Sequence, residues 1–195
     1  MRAGVLFSGG KDSALAALLL ARDYDVELNS FVFDTNRVIP DVQAAADAVG
    51  LPFRRRVFKS GLLETAVEIV IAHGYPNQAI TMVHKEAIAA LTAEYSVVGD
   101  GTRLNDRVPK LTPADVQHIE ARTGCSYVRP LLGFGKTEVE RLAQRFFTFV
   151  QGDSETITSG DYEHELRAAL REKGLDPAAF FPPHHDQSLV RGRMN

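Results

Sequence analysis

The sequence predicts an α/β protein, with an open and mostly parallel sheet that carries helices on both faces. Apolar segments with strand character alternate with helix-forming segments along the first 150 residues, and this alternation is typical of βαβ units. The segment Val26–Phe33 is apolar at neighbouring positions, which indicates a strand buried on both of its faces. The 195 residues are enough for one domain of ordinary size with a full core.

A glycine-rich turn joins the first predicted strand to the first predicted helix. The strand is the apolar segment Ala3–Phe7, and the helix is the segment Ala14–Ala21, which is rich in alanine and leucine. The turn between them, Ser8–Ser13, contains two glycines, which let the backbone approach a ligand. It also precedes the free N–H groups of a helix N-terminus, which favour anions. The sequence therefore predicts a phosphate site here, to which Lys11 adds a positive charge.

The remaining predicted elements continue the alternation, and local signals mark several of their ends. Gly50 stands where a helix C-cap belongs, Ser60 is a candidate helix cap, and Thr112 followed by Pro113 is typical of a helix start. In chain order, the elements are a strand at Val26–Phe33, a helix at Pro40–Val49, a strand at Phe53–Phe58, helices at Leu62–His73 and Asn77–Ala93, a strand at Tyr95–Gly99, a helix at Pro113–Thr123, a strand within Ser126–Leu132, a helix at Lys136–Phe146, a short strand at Phe147–Val150 and a helix at Asp161–Lys173.

Three consecutive arginines, Arg54, Arg55 and Arg56, lie in the third predicted strand. Charged side chains on a strand are typical of a sheet edge that is protected against pairing with other chains. A local patch that binds RNA is the alternative interpretation, and the sequence leaves both open.

Composition narrows the class of protein. The net charge of −3 and the pI near 6.1 exclude a general basic surface for nucleic acid, but not a local patch. The single cysteine, Cys125, excludes an intrachain disulfide, a four-cysteine metal site and a CxxC redox pair. No apolar run approaches the ~18 residues of a membrane span. No signal peptide is visible, and the expectation is a cytoplasmic protein.

The glycine-rich turn matches neither of the common phosphate motifs. A Walker loop needs Ser or Thr directly after its lysine, whereas Asp12 follows Lys11 here. A dinucleotide fingerprint needs three spaced glycines, and the turn has only Gly9 and Gly10. The string Ser-Gly-Gly-Lys-Asp-Ser at residues 8–13 instead resembles the PP-loop of the N-type ATP pyrophosphatases, the adenine nucleotide alpha-hydrolase-like superfamily. The alternative is a glycine-rich turn that matches by chance.

This resemblance implies a fold and a reaction. The fold is the Rossmann-like, HUP-type α/β fold of PP-loop ATPases, with strand order 3-2-1-4-5, and ligands bind such sheets where the crossovers reverse direction. The reaction breaks ATP between its α and β phosphates and passes AMP to an acceptor, so ATP and Mg²⁺ are the implied cofactors. Residues 1–150 are expected to form the PP-loop domain, and residues 151–195 a helical tail packed on it.

The resemblance also implies roles for residues of the turn and of the second strand. Lys11 and Asp12 take catalytic roles, and the strand end Phe33-Asp34 frames adenine. The residues implied to bind the nucleotide beside them are Phe7, Ser8, Gly9, Gly10 and Ser13.

A second loop, which follows the fourth predicted strand, resembles the second motif of several PP-loop enzymes. Asp106 is the first candidate metal ligand and a catalytic residue, and Asp100 is the second candidate ligand. The implied nucleotide-binding residues of this loop are Gly99, Gly101, Thr102 and Arg103, and Arg103, Arg107 and Lys110 offer positive charge to pyrophosphate or to an anionic substrate. A solvated turn is the alternative.

The remaining candidates lie in the second half of the chain. The stretch Arg129–Val139 resembles one found in tRNA thiolases and lysidine synthetases, and Lys136 at its helix start is an implied catalytic residue that reaches a phosphate; a plain surface lysine is the alternative. Helix packing is favoured over chemistry for His84, and burial in a strand is favoured for Cys125. The run His184-His185-Asp186 favours a tail folded over the cleft rather than a metal cluster.

The chain is most similar to a small archaeal-type PP-loop family described as a predicted subunit of tRNA thiouridine modification. The shared stretches are Gly74–Asn77, Asp100–Arg103, Asp106–Lys110 and Arg129–Gly135. The likeness implies adenylation of a tRNA uridine, although the acceptor, tRNA or a small molecule, is not fixed. Because tRNA thiolases carry extra cysteines and an RNA-binding domain, a partner subunit is expected to supply RNA binding or sulfur. A homodimer is left open.

Two other functions fit the same motifs. An amide-forming ligase, like NAD synthetase, asparagine synthase or diphthine–ammonia ligase, needs no cysteine relay. A nucleotide-binding module without turnover is the other alternative, but the complete loop at residues 8–13 disfavours it, because a mere binder does not need that loop.

Overall fold

A five-stranded parallel sheet forms the centre of the molecule. The computed structural model describes residues 1–109, 111–153, 157, 159–182 and 186–194. The sheet order is β3-β2-β1-β4-β5, which confirms the predicted 3-2-1-4-5 order and the α/β class. The strands are β1 (Arg2–Leu6), β2 (Asp25–Val32), β3 (Phe53–Val57), β4 (Val97–Gly99) and β5 (Ser126–Val128).

Helices cover both faces of this sheet, and the described residues form two large apolar cores and a small third one between α1 and α6. One core joins α3, α4 and α7 to side chains such as Phe31 and Val98, and the other joins α1 and α2 to side chains such as Val5 and Leu28. Within the described residues, no helix combines the length and the hydropathy that a membrane span requires. The helices are α1 (Lys11–Leu20), α2 (Pro40–Val49), α3 (Leu62–His73), α4 (Asn77–Thr92), α5 (Pro113–Thr123), α6 (Lys136–Ala143) and α7 (Glu163–Glu172).

Local capping signals explain why several helix ends fall where the sequence predicts them. α2 ends at Gly50, whose φ of 78° is the left-handed conformation that glycine adopts without strain. α5 begins after Thr112, whose hydroxyl and the Asp115 carboxylate form a reciprocal capping box. Ser60 does not cap α3, because Gly61 occupies the N-cap position with a φ of 85°. The strand predicted at Tyr95–Gly99 begins only at Val97, and the strand predicted within Ser126–Leu132 ends at Val128. Helix α1 begins at Lys11, before its predicted start at Ala14.

The charged strand β3 is an edge strand, as the first interpretation of its arginines expects. It pairs only with β2 in the sheet order. Arg54 and Arg56 both bind the Glu94 carboxylate, at 3.0 and 2.5 Å, and this pairing lowers the pKa of Glu94 to about 2. Arg55 donates to the carbonyl of Arg37. These arginines therefore hold the sheet edge to neighbouring elements.

A second, antiparallel sheet corrects the prediction of a helical tail at residues 151–195 and extends the short strand predicted at Phe147–Val150. It pairs β6 (Phe147–Asp153) with β7 (Asp186–Arg193), and only α7 and a short 3₁₀ turn lie between them in the described residues. β7 packs against α2, where Leu189 and Val42 share one core. The expected boundary at residue 150 between the PP-loop domain and the tail falls inside β6, and this division of the chain stays a prediction. A strand whose partner lies far away in sequence leaves little local signal, which explains the error.

Candidate active site

A cleft of about 600 Å³ opens at the carboxyl ends of β1, β2 and β4, where the sheet crossovers reverse direction. This volume lies in the range of small-molecule sites. Gly9, Phe33, Asp34 and Gly99 do not line the cleft. The predicted site residues that do line it are Phe7, Ser8, Gly10, Lys11, Asp12, Ser13, Asp100, Gly101, Thr102, Arg103, Asp106 and Lys136.

The glycine-rich loop, Ser8–Ser13, is held in shape by its own polar groups. Gly9 has a φ of 84°, which strains any residue with a Cβ. The Ser13 hydroxyl donates to the Gly10 carbonyl at 3.1 Å and accepts the Ser8 N–H at 3.3 Å. The loop ends in the first turn of α1, so residues of a helix N-terminus line the cleft, and a helix N-terminus favours anions.

Alternating charges connect this loop to the loop that follows β4. Lys11 Nζ, on a side chain that is only 6% exposed, contacts Asp12 Oδ1 at 2.9 Å. Arg103 Nε contacts Asp12 Oδ2 at 3.2 Å, and Arg103 Nη2 contacts Asp106 Oδ1 at 2.5 Å. The two loops that the sequence predicts to share a cleft are therefore joined by ion pairs through Arg103.

The close approach of the two loops requires glycine at position 101. A Cβ built on Gly101 would lie 2.7 Å from the Ser13 nitrogen and 2.8 Å from the Asp12 carbonyl carbon. Both atoms belong to the backbone of α1, so neither can move aside without displacing the helix. Gly101 thus lets the β4 loop lie directly against the helix N-terminus.

Asp100 is buried beneath this contact and is fully hydrogen-bonded. Its Oδ2 binds His84 Nε2 at 2.8 Å and accepts the Tyr127 hydroxyl, while its Oδ1 accepts the Thr102 N–H at 2.9 Å. Burial by itself raises the pKa of Asp100, but these partners, His84 foremost, hold that pKa below its usual value. The carboxylate fixes the start of the β4 loop, and its role as a metal ligand stays a prediction.

His84 is a cleft residue that sequence reasoning assigned to helix packing. It lies on α4, lines the cleft and binds Asp100. Helical periodicity shows only that this position faces inward. The polar partner arrives from β4, so the sequence carries no local signal for the pair.

The predicted adenine frame, Phe33-Asp34, lies beside the cleft rather than in it. The backbone N–H groups of both residues donate to Glu165 Oε1, at 3.0 and 3.4 Å, because α7 packs against the end of β2. The β2 residues that do line the cleft are Asn29, Ser30 and Phe31. The adenine role of Phe33 and Asp34 stays a prediction.

Lys136 lies at the N-terminus of α6, at the cleft rim. Its Nζ contacts Asp186 Oδ2 at 3.0 Å, and both side chains are more than half exposed. Asp186 is the first residue of β7, so this end of the predicted tail does line the cleft. His184 and His185 lie outside the described residues, as does Lys110.

The C-terminal part of the chain forms a cleft wall, whose individual contacts sequence reasoning did not identify when it placed the tail over the cleft. Ser188 on β7 accepts the Lys11 N–H at 3.1 Å, and the Val190 N–H donates to the Gly9 carbonyl at 2.9 Å. Gly160 donates its N–H to the Ser8 carbonyl at 2.8 Å. Backbone contacts of this kind depend on the folded topology and have no motif.

Three similarities to known proteins agree with this geometry. The chain is 40% identical over 190 residues, 95% of its length and 94% of the other, to an uncharacterized protein of Methanocaldococcus jannaschii. A crystal structure from Methanocaldococcus jannaschii, described as a predicted subunit of tRNA methyltransferase, superposes with a TM-score of 0.90 at 36% identity and covers 100% of this chain and 99% of that chain. A probable tRNA sulfurtransferase of Mycoplasma genitalium is 28% identical over 157 residues, which are 76% of this chain but only 40% of that protein.

A family model settles the membership of the chain. It matches residues 1–192, and it therefore spans the sheet, both loops of the cleft and nearly all of β7 with one continuous alignment. The chain belongs to the Family of unknown function (DUF7411).

Proposed function

We propose that this protein binds ATP with Mg²⁺, cleaves it between the α and β phosphates and transfers AMP to an acceptor. The observation that carries the proposal is the Ser8–Ser13 loop. Gly10, Ser8 and the N-terminus of α1 line the same cleft as the buried Lys11 side chain. Backbone amides and a fixed positive charge are the groups that stabilise a leaving pyrophosphate.

The basic residues of the cleft have defined tasks in this reaction. Lys11 and the amides at the start of α1 bind the phosphates that leave, and Arg103 neutralises charge from the β4 loop. Lys136 adds charge at the rim once its exposed contact with Asp186 opens. Together these groups orient the triphosphate and stabilise the negative charge that develops on the leaving pyrophosphate.

The donor set of the cleft fits a magnesium ion. Two carboxylates, Asp12 and Asp106, face the single guanidinium of Arg103, and Mg²⁺ is held by one or two carboxylates together with phosphate oxygens. The described residues contain no group of three or more His, Cys, Asp or Glu arranged around a metal, so the protein ligands are few. When bound, the ion neutralises charge on the phosphates.

A tRNA is the acceptor that the similarities favour. Two of the three similar proteins carry tRNA in their descriptions, one as a methyltransferase subunit and one as a sulfurtransferase. The chain covers 40% of the sulfurtransferase, so a partner subunit that supplies RNA binding is part of this proposal. The arginines of β3 are engaged with Glu94 and with a backbone carbonyl, which disfavours them as the main RNA contacts.

The products formed from ATP test the proposal. With Mg²⁺ and unmodified tRNA as the acceptor, we expect pyrophosphate in solution and AMP attached to the acceptor, because the groups at Ser8–Ser13 hold the leaving phosphates as a unit. A chromatographic assay that resolves pyrophosphate from orthophosphate makes the measurement. Protein with Lys11→Met, purified in parallel, reports contaminating activity. Orthophosphate and ADP as the main products would contradict the proposal.

An amide-forming ligase is the second candidate, and one observation favours it. Cys125, the single cysteine of the chain, is 2% exposed and does not line the cleft. Burial, with the nearby charge of Glu120, raises the pKa of its thiol, so Cys125 has little thiolate character. Sulfur relay through this chain is therefore disfavoured, whereas attack by ammonia or an amine needs no thiol. This candidate needs a carboxylic acid that accepts AMP with release of pyrophosphate, after which ammonia forms the amide and AMP leaves. Pyrophosphate release that depends on carboxylic acids together with ammonium, and that tRNA does not stimulate, would select it.

Replacing Cys125 with alanine should leave pyrophosphate release unchanged. The loss of one buried sulfur atom should lower the free energy of unfolding by only about 1 kcal/mol. Turnover and urea denaturation of the two proteins make the comparison. If the variant bound ATP normally and formed no product, Cys125 would belong to the mechanism and the sulfur-transfer class would be supported.

A further inference from the structure

The cleft wall formed by the C-terminal part of the chain contains an incomplete hydrogen-bonding arrangement. Gln187 on β7 donates from Nε2 to Asp161 Oδ2, and Asp161 Oδ1 accepts the Glu163 N–H at 3.2 Å. Gln187 Oε1 is buried, but no group in the described parts of the chain donates a hydrogen bond to it. Both Gln187 and Asp161 line the cleft.

A buried amide oxygen without a donor destabilises the folded state, because it loses its hydrogen bonds to water on folding and forms none within the protein. Folded proteins pair nearly all such atoms, and an exception in a cleft wall points to a missing ligand donor. Among the described residues, Gln187 Oε1 is the buried side-chain polar atom that lacks a partner. Its residue, Gln187, lines the cleft, where a ligand can supply the missing hydrogen.

The position of this wall matches one part of a nucleotide. Gly160, next to Asp161, donates to the Ser8 carbonyl at 2.8 Å, and a Cβ built on it would lie 3.3 Å from Ser30 Oγ. The wall therefore lies between the end of β2 and the start of the Ser8–Ser13 loop. The apolar cleft residues Leu6, Phe31 and Ile80 suit a base, and the loop suits phosphates. The sugar is the group that lies between them.

The charge of the wall supports the same assignment. Its cleft-lining groups include the carboxylates of Asp161 and Asp186, which, like the Gln187 amide oxygen, accept hydrogen bonds. Phosphate oxygens accept hydrogen bonds and cannot satisfy Gln187 Oε1. Ribose hydroxyls are donors, and carboxylates bind them in dinucleotide sites.

We infer that Gln187, positioned by Asp161, recognises a ribose hydroxyl of the bound nucleotide and makes the site selective for ribonucleotides. This inference rests on the proposed ATP binding. Gln187 accepts the hydrogen of the 2′- or 3′-hydroxyl through Oε1, while its donation to Asp161 fixes the amide orientation. The selectivity thus comes from β7, outside the two loops that hold the phosphates.

Calorimetric titration of the full chain with ATP, 2′-deoxy-ATP and 3′-deoxy-ATP in Mg²⁺ tests this inference. For the unchanged protein, we expect at least one deoxy analogue to bind about 5- to 10-fold more weakly than ATP, the effect of one hydrogen bond. In Gln187→Met, which keeps the side-chain length, ATP and that analogue should bind equally. Gln187→Asn should give the same result, since the shorter amide cannot reach.

The matched control is Gln43→Met, because Gln43 donates to Asp47 at 2.9 Å on the exposed surface of α2, outside the cleft. It should retain full discrimination between ATP and the deoxy analogue.

Circular dichroism verifies that each variant is folded. The ratio of the two affinities does not change if a uniform fraction of the protein cannot bind. Equal binding of all three nucleotides by the unchanged protein, or undiminished discrimination in Gln187→Met, would overturn the ribose assignment while ATP binding stands. An absence of ATP binding would overturn the proposed function and this inference together.

Discussion

Replacing Lys11 with methionine should lower the rate of pyrophosphate release by about 10²-fold or more, the effect of removing one fixed charge from a developing anion. Lys11 suits this role because its side chain is buried and held in place within the cleft. Its side chain is 6% exposed, and the carboxylate that holds it, Asp12, belongs to the same helix turn. Methionine keeps the buried stem and removes only the charge, so initial rates with saturating ATP isolate the electrostatic contribution.

The stability of Lys11→Met should be close to that of the unchanged protein. Asp12 keeps its contact with Arg103 at 3.2 Å, so no carboxylate is left without a partner. Lys85→Met is the matched control, since Lys85 contacts Asp115 at 2.7 Å outside the cleft. It removes a lysine–aspartate ion pair of similar length, although a more exposed one, and should keep full activity. Normal turnover in Lys11→Met would exclude the lysine from the chemistry.

The main sheet was predictable because its information is local. Apolar runs, the cap at Gly50 and the capping box at Thr112 each lie within a few residues of the element that they define. The strand order was implied by the resemblance of the Ser8–Ser13 loop to the PP-loop. That order predicts that the Ser8–Ser13 loop lies beside the β4 loop. The ion pairs through Arg103 join the two loops across about 90 positions of sequence, as that order requires.

A tail over the cleft was expected, but the contacts of the C-terminal wall were not predictable, since they are long-range and mostly involve backbone atoms. Ser188 meets the Lys11 N–H across 177 positions, and the fit at Gly9 depends on Leu189. Neither contact leaves a pattern in the surrounding residues. The same limit applies to His84, whose inward direction follows from helical spacing but whose partner Asp100 does not.

The C-terminal strand also limits how far the phosphate site can move. Val190 and Ser188 hold the Ser8–Ser13 loop from one side, through Gly9 and Lys11. Arg103 and Gly101 hold it from the other side. A loop fixed on two sides is preorganised, so that little reorganisation accompanies binding of the phosphates. Displacing either support should therefore reduce turnover more than it reduces stability.

Replacing Gly101 with alanine tests this coupling from the β4 side. The new methyl carbon would lie 2.7 Å from the Ser13 nitrogen, and relief of this overlap must separate the β4 loop from α1. We expect a loss of about 1–3 kcal/mol in the free energy of unfolding, typical of overpacking. A shift of about 1 Å between catalytic groups lowers rates by about 10²-fold, and turnover should fall by that order.

Gly133→Ala is the matched control for this substitution. A Cβ at Gly133 meets no atom within 4 Å, and its φ is not in the left-handed region. The control therefore adds the same methyl group without a clash, and it should keep both its stability and its rate of pyrophosphate release. Thermal melts and initial rates of the three proteins make the comparison. If Gly101→Ala matched the control in both measurements, the close contact of the two loops would not be what aligns Lys11, Asp12 and Arg103 for the reaction.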